Sequence, residues 1–213
     1  MPKILVDDKE IDIEEGKPLL QACLDNDIYI PNLCYLENMK IPSASCRMCF
    51  VEIKGIRHPV TSCTVQVRDD MVVSTDTPAV RQLQRTALRL LLSVHDVDCK
   101  NCHANKKCAL QNIAKFLKVS LKQTRLDRYL KEIHIDETHP FLNHYPNRCV
   151  LCGKCVHICR EKHDQTVLTF AKRGFDTIIT TYSAADVSSL ECRDCDTCVN
   201  TCPVGALALK ESR

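Results

Sequence analysis

Cys149-Val150-Leu151-Cys152-Gly153-Lys154-Cys155-Val156-His157-Ile158-Cys159 and, later, Cys192-Arg193-Asp194-Cys195-Asp196-Thr197-Cys198-Val199-Asn200-Thr201-Cys202-Pro203 share one spacing, Cys-x-x-Cys-x-x-Cys-x-x-x-Cys. Three cysteines at successive intervals of three suit three corners of an iron-sulfur cubane. In bacterial runs of this kind the fourth cysteine ligates the other cluster. The pattern therefore predicts one [4Fe-4S] cluster on Cys149, Cys152, Cys155 and Cys202, and a partner on Cys192, Cys195, Cys198 and Cys159. The repeat also implies two loop-helix units related by approximate twofold symmetry and tied together by the exchanged ligands.

Two looser sets lie upstream. Cys46-Arg47-Met48-Cys49 is flanked by Cys34 and Cys63, a close pair between two distant cysteines, which suits a [2Fe-2S] rhomb gripped by a loop with a fourth thiolate from a later strand. His95, Cys99, Cys102 and Cys108 offer three thiolates and one imidazole for a third [4Fe-4S] cluster. His103, inside the same motif, is the rival ligand. These four sets leave Cys23 alone of the sixteen cysteines, and its neighbours Leu19, Leu20 and Leu24 assign it to core packing. His58, His134, His139, His144, His157 and His163 read as surface or structural residues. The competing use of such cysteines is structural zinc, which pairs thiolates two and two around one ion. That alternative makes the chain a zinc-stabilised interaction module.

The chain has 213 residues, no Trp and 5% aromatics, so its hydrophobic core is thin and bound metal is expected to supply part of the folding energy. Met1-Pro2-Lys3-Ile4-Leu5-Val6-Asp7-Asp8 carries acidic residues where a signal peptide needs an apolar stretch. A cytoplasmic location with reduced or metallated thiols is expected. No segment has the roughly 18 consecutive apolar residues of a membrane span, so no direct membrane insertion is expected. The formal charge is +2. Ligating thiolates, only partly offset by iron, shift it to about −5, which together with the lack of a basic stripe argues against nucleic acid. A stand-alone enzyme needs a substrate pocket, yet there is no dinucleotide fingerprint, P-loop or nucleophile motif, and only five glycines.

Coarse patterning predicts an α+β chain in three domains. Residues 1–78 contain strands at 3–6 and 10–13 around Asp7-Asp8-Lys9, a helix near Pro18 to Asn26, and the strand-like His58 to Val67 that delivers Cys63. A helix on a mixed sheet with the metal loop at one end is the β-grasp pattern of [2Fe-2S] ferredoxins. Residues 79–138 form a small helical His/Cys-ligated domain. Its first helix starts at Thr77-Pro78, shows a stripe of Val80, Leu83, Ala87, Leu91 and Val94, and ends at His95. A second helix runs from Cys108 through Leu117, and a basic amphipathic stretch covers Leu121 to Ile133. Residues 139–213 form a two-[4Fe-4S] ferredoxin-like domain, with the β-rich stretch Thr166 to Thr181 turning at Lys172-Arg173-Gly174.

At Tyr29-Ile30-Pro31-Asn32-Leu33-Cys34-Tyr35, Ser45-Cys46-Arg47-Met48-Cys49, His95-x-x-x-Cys99, Arg148-Cys149 and Arg173-Gly174-Phe175-Asp176-Thr177 the chain resembles one family. That family is the iron-sulfur electron-transfer subunit of NAD-linked hydrogenases, bidirectional or bifurcating. It is similar also to the N-terminal region of the complex I large iron-sulfur subunit, to the front end of multi-cluster [FeFe]-hydrogenases and to some NAD-dependent formate dehydrogenases. The resemblance favours His95 over His103 as ligand. It implies a non-catalytic relay through one [2Fe-2S] and three [4Fe-4S] clusters. The implied partners are an NADH/FMN-binding flavoprotein, often with a small [2Fe-2S] subunit, and a hydrogenase or formate dehydrogenase catalytic subunit. The chain ends about ten residues after Cys202, where larger relatives continue into a catalytic domain, so the catalytic centre is expected on a partner. A glycine often precedes the paired cysteines in the family, whereas Ser43-Ala44-Ser45 stands here.

Overall fold

The computed structural model describes residues 2–14, 16–124, 126–164, 166–181, 192 and 195–210. It is a mixed α/β structure in two compact units, Met1–Leu90 with Ile113–Val119, and Leu91–Asn112 with Ser120–Arg213.

The first unit is built on a five-stranded mixed sheet in the order β2-β1-β5-β3-β4. Its strands are β1 (Lys3–Val6), β2 (Lys9–Asp12), β3 (Phe50–Ile53), β4 (Val60–Thr61) and β5 (Val72–Ser74). Only the β1–β5 pair is parallel. The β1–β2 hairpin turns through Asp7 and Asp8, both at positive φ (48° and 68°), the mirror-image turn that matches strand twist. The Asp7 carboxylate then accepts hydrogen bonds from the amide and hydroxyl of Thr75, which anchors the turn at the end of β5. Helix α1 (Leu19–Asp25) buries Leu19, Leu20, Ala22 and Cys23 in a core with Ile4, Val6, Ile30, Val51 and Val73. Cys23 is fully buried, and burial pushes its thiol up to about 12.

Helix α2 (Pro78–Ser93) begins as expected, with the Thr77 hydroxyl accepting from the Val80 amide at 3.2 Å. It stops two residues before His95. Of the expected stripe only Val80 is fully buried: Val80, Gln84, Leu88 and Leu92 face inward, one turn apart, while Leu83 is exposed and Ala87, Leu91 and Val94 are half-buried. Gln84 occupies a core position because its amide donates to the Phe50 carbonyl at 3.2 Å. Helix α3 (Ala109–Leu117) ends at a carbonyl, Leu117 O, that accepts from Arg85. Phe116 meets the Tyr29 ring edge-on and lies under the Arg81 guanidinium.

In the second unit, β6 (Leu142–His144) pairs with β9 (Leu207–Leu209), and β7 (Leu168–Ala171) forms a hairpin with β8 (Ile178–Thr181). Helix α4 (Lys154–His163) and the short α5 (Thr197–Thr201) pack beside them over a core that includes Leu142, Val167, Leu168, Ile179 and Leu207. The stretch from Leu121 to Ile133 is irregular among the described residues. Buried Asn147 holds it by exchanging two hydrogen bonds with the Lys131 backbone, at 2.7 and 2.9 Å.

Candidate metal centres

Cys34, Cys46, Cys49 and Cys63 are all buried in the first unit. Cys63 does not come from a strand. The β4 strand stops at Thr61, and a 3-10 turn, Ser62–Thr64, carries the sulfur. The turn is fixed because the Cys49 carbonyl accepts from both the amide and the hydroxyl of Ser62, at 2.9 Å each. The thiols associate in two pairs, Cys34 with Cys46 and Cys49 with Cys63. The Cys46 thiol donates to Cys34, which, with help from Ser43 and Ser45, brings Cys34 down to about 4. A hydrogen bond from Cys63 brings Cys49 down to about 7. The donors Cys46 and Cys63 are pushed up in return. Four buried sulfurs, with Cys34 and Cys49 lowered by their neighbours, form a donor set suited to iron.

The second set spans Cys99 to Cys108. A 3-10 turn at Cys99–Asn101 curls Cys102 back, its amide donating to the Cys99 carbonyl at 3.3 Å. Cys108 sits at the head of α3, where the Leu110 and Gln111 amides point at its sulfur and oppose the burial that raises its thiol. Cys99 and Cys102 both fall within electrostatic range of Cys108. His95 lies four residues ahead of Cys99, largely buried, and burial lowers its imidazole to about 4. The Arg148 backbone accepts a hydrogen bond from the ring, while Nδ1 is buried with no partner. The proton is thus held on the nitrogen facing Arg148, leaving the Nδ1 lone pair for a metal. His103 is exposed.

The two compact runs meet around two cavities. One is lined by Cys149, Cys152, Cys155 and Cys202; the other by Cys159, Cys192, Cys195 and Cys198. Helix α4 carries Cys155 to one and Cys159 to the other; Cys198 in α5 and Cys202 just after it do the same in reverse. Four residues advance a helix by about 6 Å, so one helical turn joins the two cavities. Burial pushes Cys149 and Cys198 up to about 12 and raises Cys155, Cys159 and Cys192. Burial works the same way on Cys195, but the Thr197 hydroxyl and amide and the Lys162 charge leave its thiol lowered. Backbone amides are aimed at several sulfurs: Leu151 at Cys149, at 3.4 Å, and Val167 and Leu168 at Cys159. Such thiols ionise when a cation arrives to take the charge. Positions 193 and 194 of the second run lie outside the described residues.

None of the sixteen cysteines forms a disulfide among the described residues. Among the described residues, no three His, Cys, Asp or Glu side chains converge as a single metal ion requires. Four cysteines lining each of two neighbouring cavities, with three of each four at successive intervals of three, suit the corners of iron-sulfur cubanes. No helix among the described residues is long and apolar enough to cross a membrane.

Comparison with known proteins matches residues 2–78 to a 2Fe-2S iron-sulfur cluster binding domain. Residues 84–121 match the NADH-ubiquinone oxidoreductase-G iron-sulfur binding region, and residues 139–208 the NADH-quinone oxidoreductase subunit 3 ferredoxin-like domain. The NADH-ubiquinone oxidoreductase 75 kDa subunit of Reclinomonas americana is 32% identical over 210 residues, covering 99% of this chain and 30% of the relative. NADP-reducing hydrogenase subunit HndD of Solidesulfovibrio fructosivorans is 33% identical over 220 residues, covering 99% of this chain and 36% of the relative. The chain thus spans about a third of the length of these curated relatives. One chain of an NAD+-reducing [NiFe]-hydrogenase crystal structure, in the H2-reduced state, superposes with a TM-score of 0.85 at 29% identity, covering 98% of this chain and 87% of that one. With all three domain matches in order along its length, the chain carries iron-sulfur domains of the NADH-ubiquinone oxidoreductase-G type.

Proposed function

We propose that this chain is a non-catalytic relay that passes electrons between an NAD(H)-linked flavoprotein and a hydrogenase catalytic subunit in the cytoplasm. Its three domains are 1–78, 79–138 and 139–213. The ligand sets are Cys34, Cys46, Cys49 and Cys63 for one [2Fe-2S] cluster, and His95, Cys99, Cys102 and Cys108 for a [4Fe-4S] cluster. Cys149, Cys152, Cys155 and Cys202 hold a second [4Fe-4S] cluster, and Cys192, Cys195, Cys198 and Cys159 a third. The clusters, when bound, supply one-electron carriers in series. The residues of the chain hold the carriers at short spacing, keep water out and aim amides at the sulfurs. An imidazole at His95 removes one ligand charge, which raises the potential of that site relative to an all-thiolate one.

The observation that carries this reading is the pair of four-cysteine cavities joined by a single helical turn, an arrangement for electron passage rather than for substrate. The likeness along 98% of the chain to one chain of the NAD+-reducing hydrogenase supports the choice of terminal partner. The 32% identity with an NADH-ubiquinone oxidoreductase subunit favours a second reading, the same relay in a complex I-like enzyme.

The test is iron and acid-labile sulfide per chain, with EPR of the dithionite-reduced protein purified without oxygen. About fourteen irons, with one [2Fe-2S] and several coupled [4Fe-4S] signals, is the expected result. NADH should reduce the clusters only when the flavoprotein is added. Stoichiometric zinc with little sulfide sinks the relay, and reduction by NADH alone sinks its non-catalytic character.

A further inference from the structure

Two buried histidines outside these ligand sets each line one of the two cysteine cavities. His144, at the end of β6, is 7% exposed and shares the wall with Cys149, Cys152, Cys155 and Cys202. Its backbone is held on both sides, exchanging hydrogen bonds with Asp136 at 2.7 and 2.9 Å and standing opposite Leu207 in β9. Both of its ring nitrogens are buried without a partner. His139 is 6% exposed and lines the cavity of Cys159, Cys192, Cys195 and Cys198. Its Nδ1 accepts from the Phe141 and Leu142 amides at 3.1 and 3.2 Å, which leaves the ring proton on Nε2, at the opposite edge.

An unsatisfied buried polar group is costly and rare in a folded protein. The neighbours of His144 in the sheet and the cavity wall, Leu142, Ile179, Val204 and Leu207, make surroundings that an apolar side chain would fill without that cost. Each cavity already has four thiols, so neither imidazole is needed as a ligand. What an imidazole adds to such a wall is an N–H donor in the same cavity as the sulfurs.

We propose that His139 and His144 set potentials: each donates a ring N–H to a sulfur of the adjacent [4Fe-4S] cluster and so favours its reduced form. A donor to sulfur stabilises the electron's added negative charge more than the oxidised state, and the potential rises. Potentials in the relay are thereby set by two side chains five residues apart on one strand and its lead-in. This inference rests on the reading that both cavities hold [4Fe-4S] clusters.

The experiment is an EPR-monitored redox titration of the full chain, purified without oxygen, as the parent and as His144→Leu, His144→Gln and His139→Leu. His144→Leu should lower the equilibrium constant for one-electron reduction of one [4Fe-4S] signal by roughly tenfold, a downward shift of about 59 mV. His144→Gln, which keeps an N–H donor, should recover part of that shift. His139→Leu should move a different signal. Unchanged midpoints at the parent's iron content overturn the proposal. So does loss of about four irons in both His144 variants, which makes the ring a ligand or a structural support. A parent chain that holds zinc and little sulfide fails the underlying reading instead, and shows it before any variant is compared.

Discussion

A Cβ placed on Gly205 would stand 2.5 Å from the sulfur of Cys102 and 3.1 Å from the Ala104 side chain. The segment after the second cysteine run therefore packs directly on the Cys102 loop, and the Pro203 carbonyl accepts from the Ala109 amide at 2.8 Å beside it. Gly205→Ala must push Cys102 aside. Overpacking of this kind costs about 1–3 kcal/mol. The expected outcome is selective loss of the cluster on His95, Cys99, Cys102 and Cys108, about four irons per chain, with the [2Fe-2S] EPR signal intact. Full iron content in the variant would refute the packing argument.

Ala44 adopts a left-handed backbone, φ 47°, in the loop ahead of Cys46. An L side chain is strained there and glycine is not. Ala44→Gly should raise the stability of the cluster-loaded chain by about 0.5–1 kcal/mol, and Ala44→Val should lower it by at least as much. Thermal melts followed at the [2Fe-2S] absorbance decide this. A glycine variant that melts lower than the parent contradicts it.

Gln84 is 0% exposed and carries the hydrogen bond to the Phe50 carbonyl that ties α2 to β3. Removing the donor leaves a carbonyl unpaired in the core. Gln84→Leu should cost about 1–3 kcal/mol in urea unfolding even though leucine is the more apolar residue. A neutral or stabilising result would mean that the carbonyl finds another partner.

Cys23 has its folded pKa raised by burial, from an ordinary value of 9.0 to about 12. A group raised in this way contributes stability that is full below its unfolded pKa and is lost as pH rises through the folded one. The parent chain should therefore weaken between about pH 9 and 12 through this thiol, and Cys23→Ala should show a flatter alkaline slope. At pH 8 the native thiol should resist iodoacetamide, and the alanine variant should keep its full iron content. Iron loss on Cys23→Ala would make Cys23 a ligand rather than core.

The elements legible in the sequence were those set by near neighbours: the β1–β2 hairpin about Asp7-Asp8, the Thr77-Pro78 start of α2, and the β7–β8 hairpin about Lys172-Arg173-Gly174. Cys23 reads as core for the same reason, since its three leucine neighbours lie on its own helix. Errors arose where a distant group decides. Leu83 has the right character for a core face, yet Gln84 takes the inward position because Phe50, far back in the chain, offers it a carbonyl. Cys63 was expected on a strand, but the Ser62 hydroxyl and amide capture the Cys49 carbonyl and turn the chain into a 3-10 bend.

By itself, then, the sequence determined which residues recur at metal-ligand spacing, because spacing along a loop or a helical turn is a local property. Tertiary structure alone decided that Gly205 abuts Cys102, and that Arg148 holds one ring nitrogen of His95 and frees the other. It also decided that His139 and His144, residues with no motif to mark them, line the two cysteine cavities. Each of these depends on where the backbone returns after many intervening residues, and on which buried polar groups find partners once it has; periodicity carries no record of either.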